Sequence, residues 1–136
     1  MIMSAQDLKV GMTYEAELTV EKQHLASSKG SGIAEVFSTP DLLMLMEAAC
    51  FKLVEQYLDE GQSTVGISAD FRHMAATPLG MKVTSRCELV EIDRKRLVFN
   101  GEVFDEVEKI GEGEHQRFII DQEAFEKKAA KKAELV

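Results

Sequence analysis

Apolar and polar residues alternate near the start of the chain and predict a β-strand over Met12–Val20. Successive side chains of a strand point to opposite faces of the sheet, so alternation indicates one buried face and one solvated face. The predicted buried face carries Tyr14, Ala16, Leu18 and Val20. The next stretch, Ala26–Gly32, is rich in serine and glycine, which favours a flexible loop, more typically a plain connector than a lid.

A long apolar helix follows. Ser38 or Thr39 can cap its N-terminus, and Pro40 suits its first turn, where the missing N–H costs nothing. The apolar residues continue to about Leu58, and we expect the helix to end before Gly61.

The rest of the chain predicts strands. A first strand begins at Gln62, with one face formed by Val65, Ile67, Ala69, Phe71 and His73. A turn at Thr77–Gly80 leads to three further strands, separated by a charged turn at 93–96 and a glycine turn at 111–113. We place these strands at about Lys82–Ile92, Leu97–Glu106 and His115–Ile120. The tail from Asp121 is a polar helix or a frayed end. The predicted fold class is α+β, with one antiparallel sheet wrapped around one helix.

The composition of the chain limits which classes of protein and which partners are possible. The chain has 136 residues and 45% hydrophobic residues, which fits one globular domain over residues 1–136 with a polar tail from about residue 123. Its formal net charge of -8 argues against a nucleic-acid partner. We expect no signal peptide and no membrane span. Cys50 and Cys87 fall in apolar segments and are expected to be reduced core residues of a cytoplasmic protein. The three histidines lack paired ligand spacing, so no metal is expected.

Glu47 is the main anomaly of the helix. At roughly 100° per residue, most polar residues gather on one side, which we expect to face water. They are Asp41, Lys52, Glu55, Gln56 and Asp59. Glu47 projects roughly 120° away from them, among apolar neighbours. Those neighbours are Leu43, Phe51, Val54 and Leu58. Burial of a carboxylate is unfavourable and is enriched at functional sites, although a position at a subunit edge or beside an arginine would also explain it.

Three other residues are candidates for chemistry. His73 extends the apolar face of its strand, where it is either a satisfied core histidine or, beside a carboxylate, half of an acid–base pair. Thr39 taken alone is a helix cap. Gly66 is the only glycine within its predicted strand, which indicates a bulge or a close approach of backbone or ligand.

Several segments resemble one family. They are Val36–Pro40 running into Leu45–Cys50, then Val65-Gly66, the string His73–Gly80, and Gly113–Arg117. Together they resemble the fluoroacetyl-CoA thioesterase-like proteins of the hot-dog fold, over about residues 12–125. The resemblance implies an acyl-CoA thioesterase that acts as a homodimer, with small or medium acyl-CoA as substrate and no cofactor. It leaves a tetramer open.

The resemblance also implies site residues. The threonine, glutamate and histidine that the family uses for catalysis fall on Thr39, Glu47 and His73, and its substrate-contacting glycine falls on Gly66. The fluoroacetyl-specific enzyme has aromatic residues in its lid segment, whereas the 26–32 stretch has none, so we do not expect fluoroacetyl specificity. For the CoA phosphates we nominate Arg117 and Arg72.

Two alternatives to a thioesterase stay open. One is a non-catalytic acyl-CoA sensor that keeps the cleft, and the other is a hot-dog enoyl-CoA hydratase. Geometry adds a constraint on any mechanism. Eight residues of ideal helix place Thr39 and Glu47 roughly 12 Å apart along the axis. Either the substrate bridges them, the helix start is irregular, or they act from different subunits.

Overall fold

The computed structural model describes residues 3–30 and 32–136. Met1 and Ile2 at the start, and Ser31 in the predicted connecting loop, lie outside the described residues. The main elements in chain order are β1 (Thr13–Thr19), α1 (Thr39–Glu55), β2 (Gln62–His73), β3 (Lys82–Asp93), β4 (Arg96–Phe104), β5 (Lys109–Asp121) and α2 (Gln122–Ala130). Short 3-10 turns occupy Ala5–Asp7, Lys22–His24, Ala26–Ser28 and Lys131–Leu135.

The five strands form one antiparallel sheet in the order β1-β3-β4-β5-β2. The sheet packs around α1, whose apolar face is fully covered. That face comprises Leu42, Leu45, Met46, Ala49, Cys50, Leu53 and Val54. The predicted α+β architecture is therefore confirmed. Within the sheet, β1 and β2 are the two edge strands.

The start of α1 follows the predicted capping chemistry. Ser38 is the cap, and its hydroxyl oxygen accepts a hydrogen bond of 3.1 Å from the Asp41 backbone N–H. Pro40 lies in the first turn. The predicted water-facing side is confirmed for Lys52, Glu55 and Gln56, which are exposed, but is wrong for Asp41. Asp41 is buried because its carboxylate accepts from the Ser38 hydroxyl at 2.5 Å and pairs with Lys29 Nζ at 3.3 Å.

The glycine turn predicted at residues 111–113 is wrong. These residues lie inside β5, and the chain reverses earlier, where the Asp105 carboxylate accepts from the backbone N–H groups of Val107 and Glu108. The glycines serve close packing instead: a Cβ at Gly113 would lie 1.9 Å from Phe71 Cδ1 and 2.2 Å from the Asp70 carbonyl oxygen. The strand predicted at His115–Ile120 therefore begins at Lys109, and the preceding strand ends at Phe104.

The single face predicted for β2 is interrupted. The pairing with β5 shifts register between Gly66 and Ser68, which is a β-bulge with Ile67 as the extra residue. A bulge reverses the alternation, so Val65 and Ile67 do not share the face of Phe71 and His73 as predicted. Thr64 and Gly66 face α1 instead, as the contacts of their side-chain positions with Arg117 show.

The polar tail forms α2, capped by the Asp121 carboxylate, which accepts from the Ala124 N–H at 2.9 Å. Every residue of α2 is exposed. Among the described residues, no helix is long and apolar enough to cross a membrane.

Candidate active site

A hydrogen bond joins the start of α1 to the end of β2. Thr39 Oγ1 lies 2.8 Å from Nδ1 of His73. The bond exists because the helix cap at Ser38 fixes the first turn, and because the bulge in β2 returns His73 to the helix-facing side of the sheet. Burial lowers the pKa of His73, an effect that the Ala75 backbone opposes, so the imidazole is neutral at pH 7.

The other ring nitrogen of His73 is unsatisfied. Nε2 is buried and has no hydrogen-bond partner within the described part of the chain. A buried polar atom without a partner is unfavourable and calls for an explanation such as a bound ligand group or a water. A cavity of about 510 Å³ lies beside the pair and is large enough for a small organic group. It is lined by Ala26, Val36, Phe37, Thr39, His73, Met74, Ala75 and Ala76.

Part of the cavity wall comes from the segment that precedes α1. Ala26 N–H donates to the Val36 carbonyl at 2.8 Å, which folds this segment back on itself next to the site. The Lys29–Asp41 ion pair then fastens it to the first turn of α1. The described part of the predicted flexible loop is thus a 3-10 turn followed by an anchored lysine, and its first residue lines the cavity.

Glu47 lies on α1, half-buried, two helical turns beyond Thr39. Because α1 is a continuous α-helix from Thr39, an irregular helix start does not bring the two side chains together. No hydrogen bond or ion pair of Glu47 forms within residues 3–30 and 32–136. Its negative charge raises the pKa of both His115 and Arg117, against the larger lowering effect of burial.

Arg117 is buried and held by three hydrogen bonds. Its Nε donates to Thr64 Oγ1 at 2.8 Å, and its Nη2 donates to the Thr64 carbonyl at 2.9 Å. Its Nη1 donates to Nε2 of His115 at 3.2 Å. The guanidinium also lies over the ring of Phe51, 5.6 Å from the centroid, in a cation–π contact. Phe51 is one turn beyond Glu47 on α1, so the arginine approaches the helix beside the carboxylate.

Gly66 adjoins this second cluster. A Cβ at Gly66 would lie 3.2 Å from Cε1 of His115 and 3.6 Å from Nη1 of Arg117. The bulge considered for this glycine is found, because Gly66 borders it. The groups nearest to its Cβ position are side chains, neither backbone nor ligand.

The predicted site residues thus fall into two groups within the chain. Thr39 and His73 are in contact, and Gly66 lies close to Arg117. Glu47 lies two turns beyond Thr39 on α1, and its charge acts on Arg117. Arg72 neighbours His73 in sequence but is exposed. Arg117 is not a solvated surface arginine, since only 7% of it is exposed.

His115 and Thr64 were missed by sequence reasoning. His115 was treated only as a histidine without metal-ligand spacing, although it alternates with Arg117 and Ile119 on one face of β5, which was a usable signal. Thr64 was missed because the face predicted for β2, from Val65 to His73, leaves Thr64 on the opposite side when the bulge is not taken into account.

Cys50 is not a nucleophile. It is completely buried, and the pKa of its thiol is raised by a hydrogen bond to Cys87 and by burial. A protonated core thiol is inert.

Solved structures with the same architecture define the class. The fluoroacetyl-CoA-specific thioesterase FlK superposes with a TM-score of 0.87 at 30% identity, covering 92% of this chain and 97% of that one. A Thermus thermophilus thioesterase superfamily member superposes with a TM-score of 0.87 at 21% identity, covering 96% and 99% of the two chains. The protein is therefore a hot-dog-fold thioester hydrolase.

The sequence itself assigns the family. Residues 20–123 match the family of fluoroacetyl-CoA-specific thioesterases, FlK. The fluoroacetyl-CoA thioesterase of Streptantibioticus cattleyicolor is 35% identical over 114 residues, which cover 84% of this chain and 82% of the relative. The chain belongs to this family, as the resemblance noted from its motifs implied.

Proposed function

We propose that the protein hydrolyses a small or medium acyl-CoA thioester to the free acid and CoA, with Thr39, Glu47 and His73 as its catalytic residues. The Thr39–His73 hydrogen bond beside an open cavity carries this proposal. It holds the imidazole in one orientation, with a buried ring nitrogen left available for a substrate group.

Glu47 either activates the water that attacks the thioester or attacks the thioester itself. As a general base, its carboxylate takes a proton from water while the water oxygen bonds to the thioester carbonyl carbon. As a direct nucleophile, it forms a mixed anhydride that water then hydrolyses. In the general-base route the C–S bond breaks, the electron pair leaves with sulfur, and the proton taken from water reaches the thiolate through His73. In the anhydride route the thiolate leaves as the anhydride forms and receives its proton from His73, and the water that later hydrolyses the anhydride supplies the replacement proton. The backbone N–H groups at the start of α1 and the Gly66 N–H are candidates to stabilise the carbonyl oxygen.

The site is completed by a second subunit. Glu47 and Thr39 are separated by roughly 12 Å of continuous helix, so one carbonyl group cannot contact both within a protomer. The edge strand β2 offers a place for pairing, because its residues Gly66–Asp70 are exposed and Ile67 is 50% exposed. On α1 itself, Met44 is 62% exposed three residues before Glu47, so the helix also offers apolar area for contact. A homodimer pairing there would bring Glu47 of one subunit towards the Thr39–His73 pair of its partner.

Complementation tests this arrangement. The Thr39→Ala protein alone is expected to keep about a tenth of wild-type activity or less, and the Glu47→Gln protein alone to be inactive. When they are unfolded together and refolded at equal amounts, shared sites restore about a quarter of wild-type activity, because half of the dimers are mixed and each has one intact site. If the sites lie within single chains, the mixture shows no more than the mean activity of the two separate proteins.

The acyl group is expected to differ from that of the named relatives. They act on fluoroacetyl-CoA, whereas residues 26–32 of this chain contain no aromatic side chain. The segment preceding α1 lines the cavity with Ala26, Val36 and Phe37. We expect the enzyme to accept acetyl and longer acyl groups without preference for fluoroacetyl.

For the CoA phosphates, exposed Arg72 beside His73 is the better placed of the two arginines nominated, whereas buried Arg117 fits the acyl end. The free thiols of Cys50 and Cys87 fit a cytoplasmic location.

The deciding experiment measures free-thiol release from a panel of acyl-CoAs, from acetyl and fluoroacetyl to long-chain and aryl. Glu47→Gln serves as the inactive variant, and Glu55→Gln, at an exposed position of the same helix, is the matched control. Release that is lost only in Glu47→Gln supports the proposal. Binding of CoA esters without release would indicate a sensor, and loss of enoyl absorbance without release would indicate a hydratase.

A further inference from the structure

We propose that His115 is a positioning residue that, as a neutral imidazole protonated on Nδ1, fixes the orientation of the Arg117 guanidinium beside Glu47. The inference rests on the proposed site, in which Arg117 borders the acyl end. It concerns a buried histidine that the mechanism above does not use.

Two hydrogen bonds determine the tautomer independently. Nδ1 of His115 lies 2.8 Å from the Ser68 carbonyl oxygen, which can only accept, so Nδ1 carries a proton. Nε2 lies 3.2 Å from Nη1 of Arg117, which can only donate, so Nε2 has a free lone pair. An imidazolium would place an N–H of its own against the arginine N–H.

The surroundings of His115 favour this state. The imidazole is 1% exposed and stacks on Phe99, with centroids 6.3 Å apart and an interplanar angle of 28°. The charged groups facing it are Arg117 on its own strand and Glu47 on α1, while β2 presents the Ser68 carbonyl and β4 the Phe99 ring. Burial lowers the pKa of His115 and the positive charge of Arg117 lowers it further, which together outweigh the raising effects of the Ser68 carbonyl and of Glu47.

The Arg117 guanidinium takes a single orientation only if His115 supplies this hydrogen-bond acceptor. Of its five N–H donors, two are bonded to Thr64 and one to His115, which leaves one N–H on each terminal nitrogen. Because three hydrogen bonds fix the plane of the guanidinium, each of the two remaining N–H groups has one defined direction. A carboxylate or an acyl oxygen beside Glu47 would be bound there at no cost of rotamer ordering.

Substitution of His115 by Asn or by Gln tests its two hydrogen bonds one at a time, because each amide keeps only one of them. Asn at position 115 places an amide N–H where Nδ1 was and keeps the bond to Ser68, but it cannot reach Arg117. Gln places its amide oxygen where Nε2 was and keeps an acceptor for Arg117. We expect His115→Asn to lower kcat by about 10- to 100-fold, with little change in KM, and His115→Gln to recover most of it. In an Arg117→Met background, His115→Asn should cause no further loss.

A purely structural His115 predicts a different result: both variants would lose activity in proportion to their loss of thermal stability, and the loss would persist in the Arg117→Met background. Either finding, or full kcat in His115→Asn, overturns the proposal.

A spectroscopic readout does not depend on the substrate. In long-range proton–nitrogen spectra recorded at about pH 8, His115 is expected as the neutral Nδ1–H tautomer. The Arg117 Nε–H signal should report a rigid side chain in wild type and in His115→Gln, and a mobile one in His115→Asn. A protonated or Nε2–H imidazole would refute the inference even if acyl-CoA hydrolysis is confirmed. The expected tautomer without hydrolysis would leave the inference standing and refute the proposed function.

Discussion

The hydroxyl of Thr39 lies 2.8 Å from Nδ1 of His73, which joins the first residue of α1 to the last residue of β2. Thr39 is therefore more than a helix-start residue, because the capping hydroxyl belongs to Ser38 and leaves that of Thr39 free for His73. The bond orients the ring so that its buried Nε2 is the only nitrogen left for a substrate group.

Replacing Thr39 tests whether its hydroxyl orients His73 while Ser38 alone caps the helix. Thr39→Val keeps the shape of the side chain but removes the hydroxyl, so His73 loses its orienting bond and kcat/KM for acyl-CoA should fall by about tenfold or more. Thr39→Ser retains a hydroxyl and should stay within a few-fold of wild type. Because the helix cap remains, neither variant should unfold earlier in urea. Equal kcat/KM in Thr39→Val and wild type would show that the bond has no role in turnover.

Asp41 provides a second test, directed at stability. Its buried carboxylate accepts from the Ser38 hydroxyl and pairs with Lys29, so Asp41→Asn weakens the helix start and should lower the free energy of unfolding by about 1–2 kcal/mol. Lys29→Met removes only a half-exposed partner and should cost less than about 1 kcal/mol. Urea unfolding measures both, with Asp59→Asn at an exposed position as control. A larger loss in Lys29→Met than in Asp41→Asn would contradict this assignment.

The sequence predicted the elements that periodicity controls and missed those controlled by packing. The helix bounds were within a few residues, because its cap and apolar pattern are local features. The β2 bulge reversed the predicted face for Thr64, since nothing local reveals an extra residue whose cause is the pairing with β5. Asp41 has a water-facing helical phase and became buried only through Ser38 and Lys29.

The candidate site divides in the same way. Thr39, Glu47 and His73 stand out by motif and phase, and the contact between Thr39 and His73 required only that the strand return to the helix. The His115–Arg117 pair could not be placed, because its partners on β2 are about fifty residues away in sequence and become neighbours only in the sheet.

The glycines of the sheet interior provide a third test. A Cβ at Gly113 would overlap the Asp70 carbonyl oxygen at 2.2 Å as well as Phe71, and backbone cannot easily move aside. A Cβ at Gly101 would meet Cγ of Met46 at 2.8 Å, which is part of a flexible side chain. Gly101→Ala is thus expected to cost about 1–3 kcal/mol of unfolding free energy, and Gly113→Ala more than that. Thermal unfolding checks the order. If Gly113→Ala is the milder change, β5 is not packed against β2 as described.

Acidification should destabilise the protein through half-buried His73 and buried His115. Burial lowers the pKa of both His73 and His115 below the ordinary value of 6.5, so on acidification the unfolded chain takes up these protons before the folded one. Stability increases with pH wherever the unfolded state binds more protons. The contribution of each histidine is therefore fully present above pH 6.5 and is lost as pH falls through its folded pKa.

Urea unfolding at several pH values between about 5 and 7.5 measures this loss. His73→Asn and His115→Gln each remove one titrating group, so each should flatten the dependence of unfolding free energy on pH relative to wild type. The carboxylates titrate alike in all three proteins, so their contribution to the pH dependence cancels when the slopes are compared. A slope unchanged in both variants would mean that neither imidazole is held neutral in the folded state, and the tautomer assigned to His115 would then be untenable.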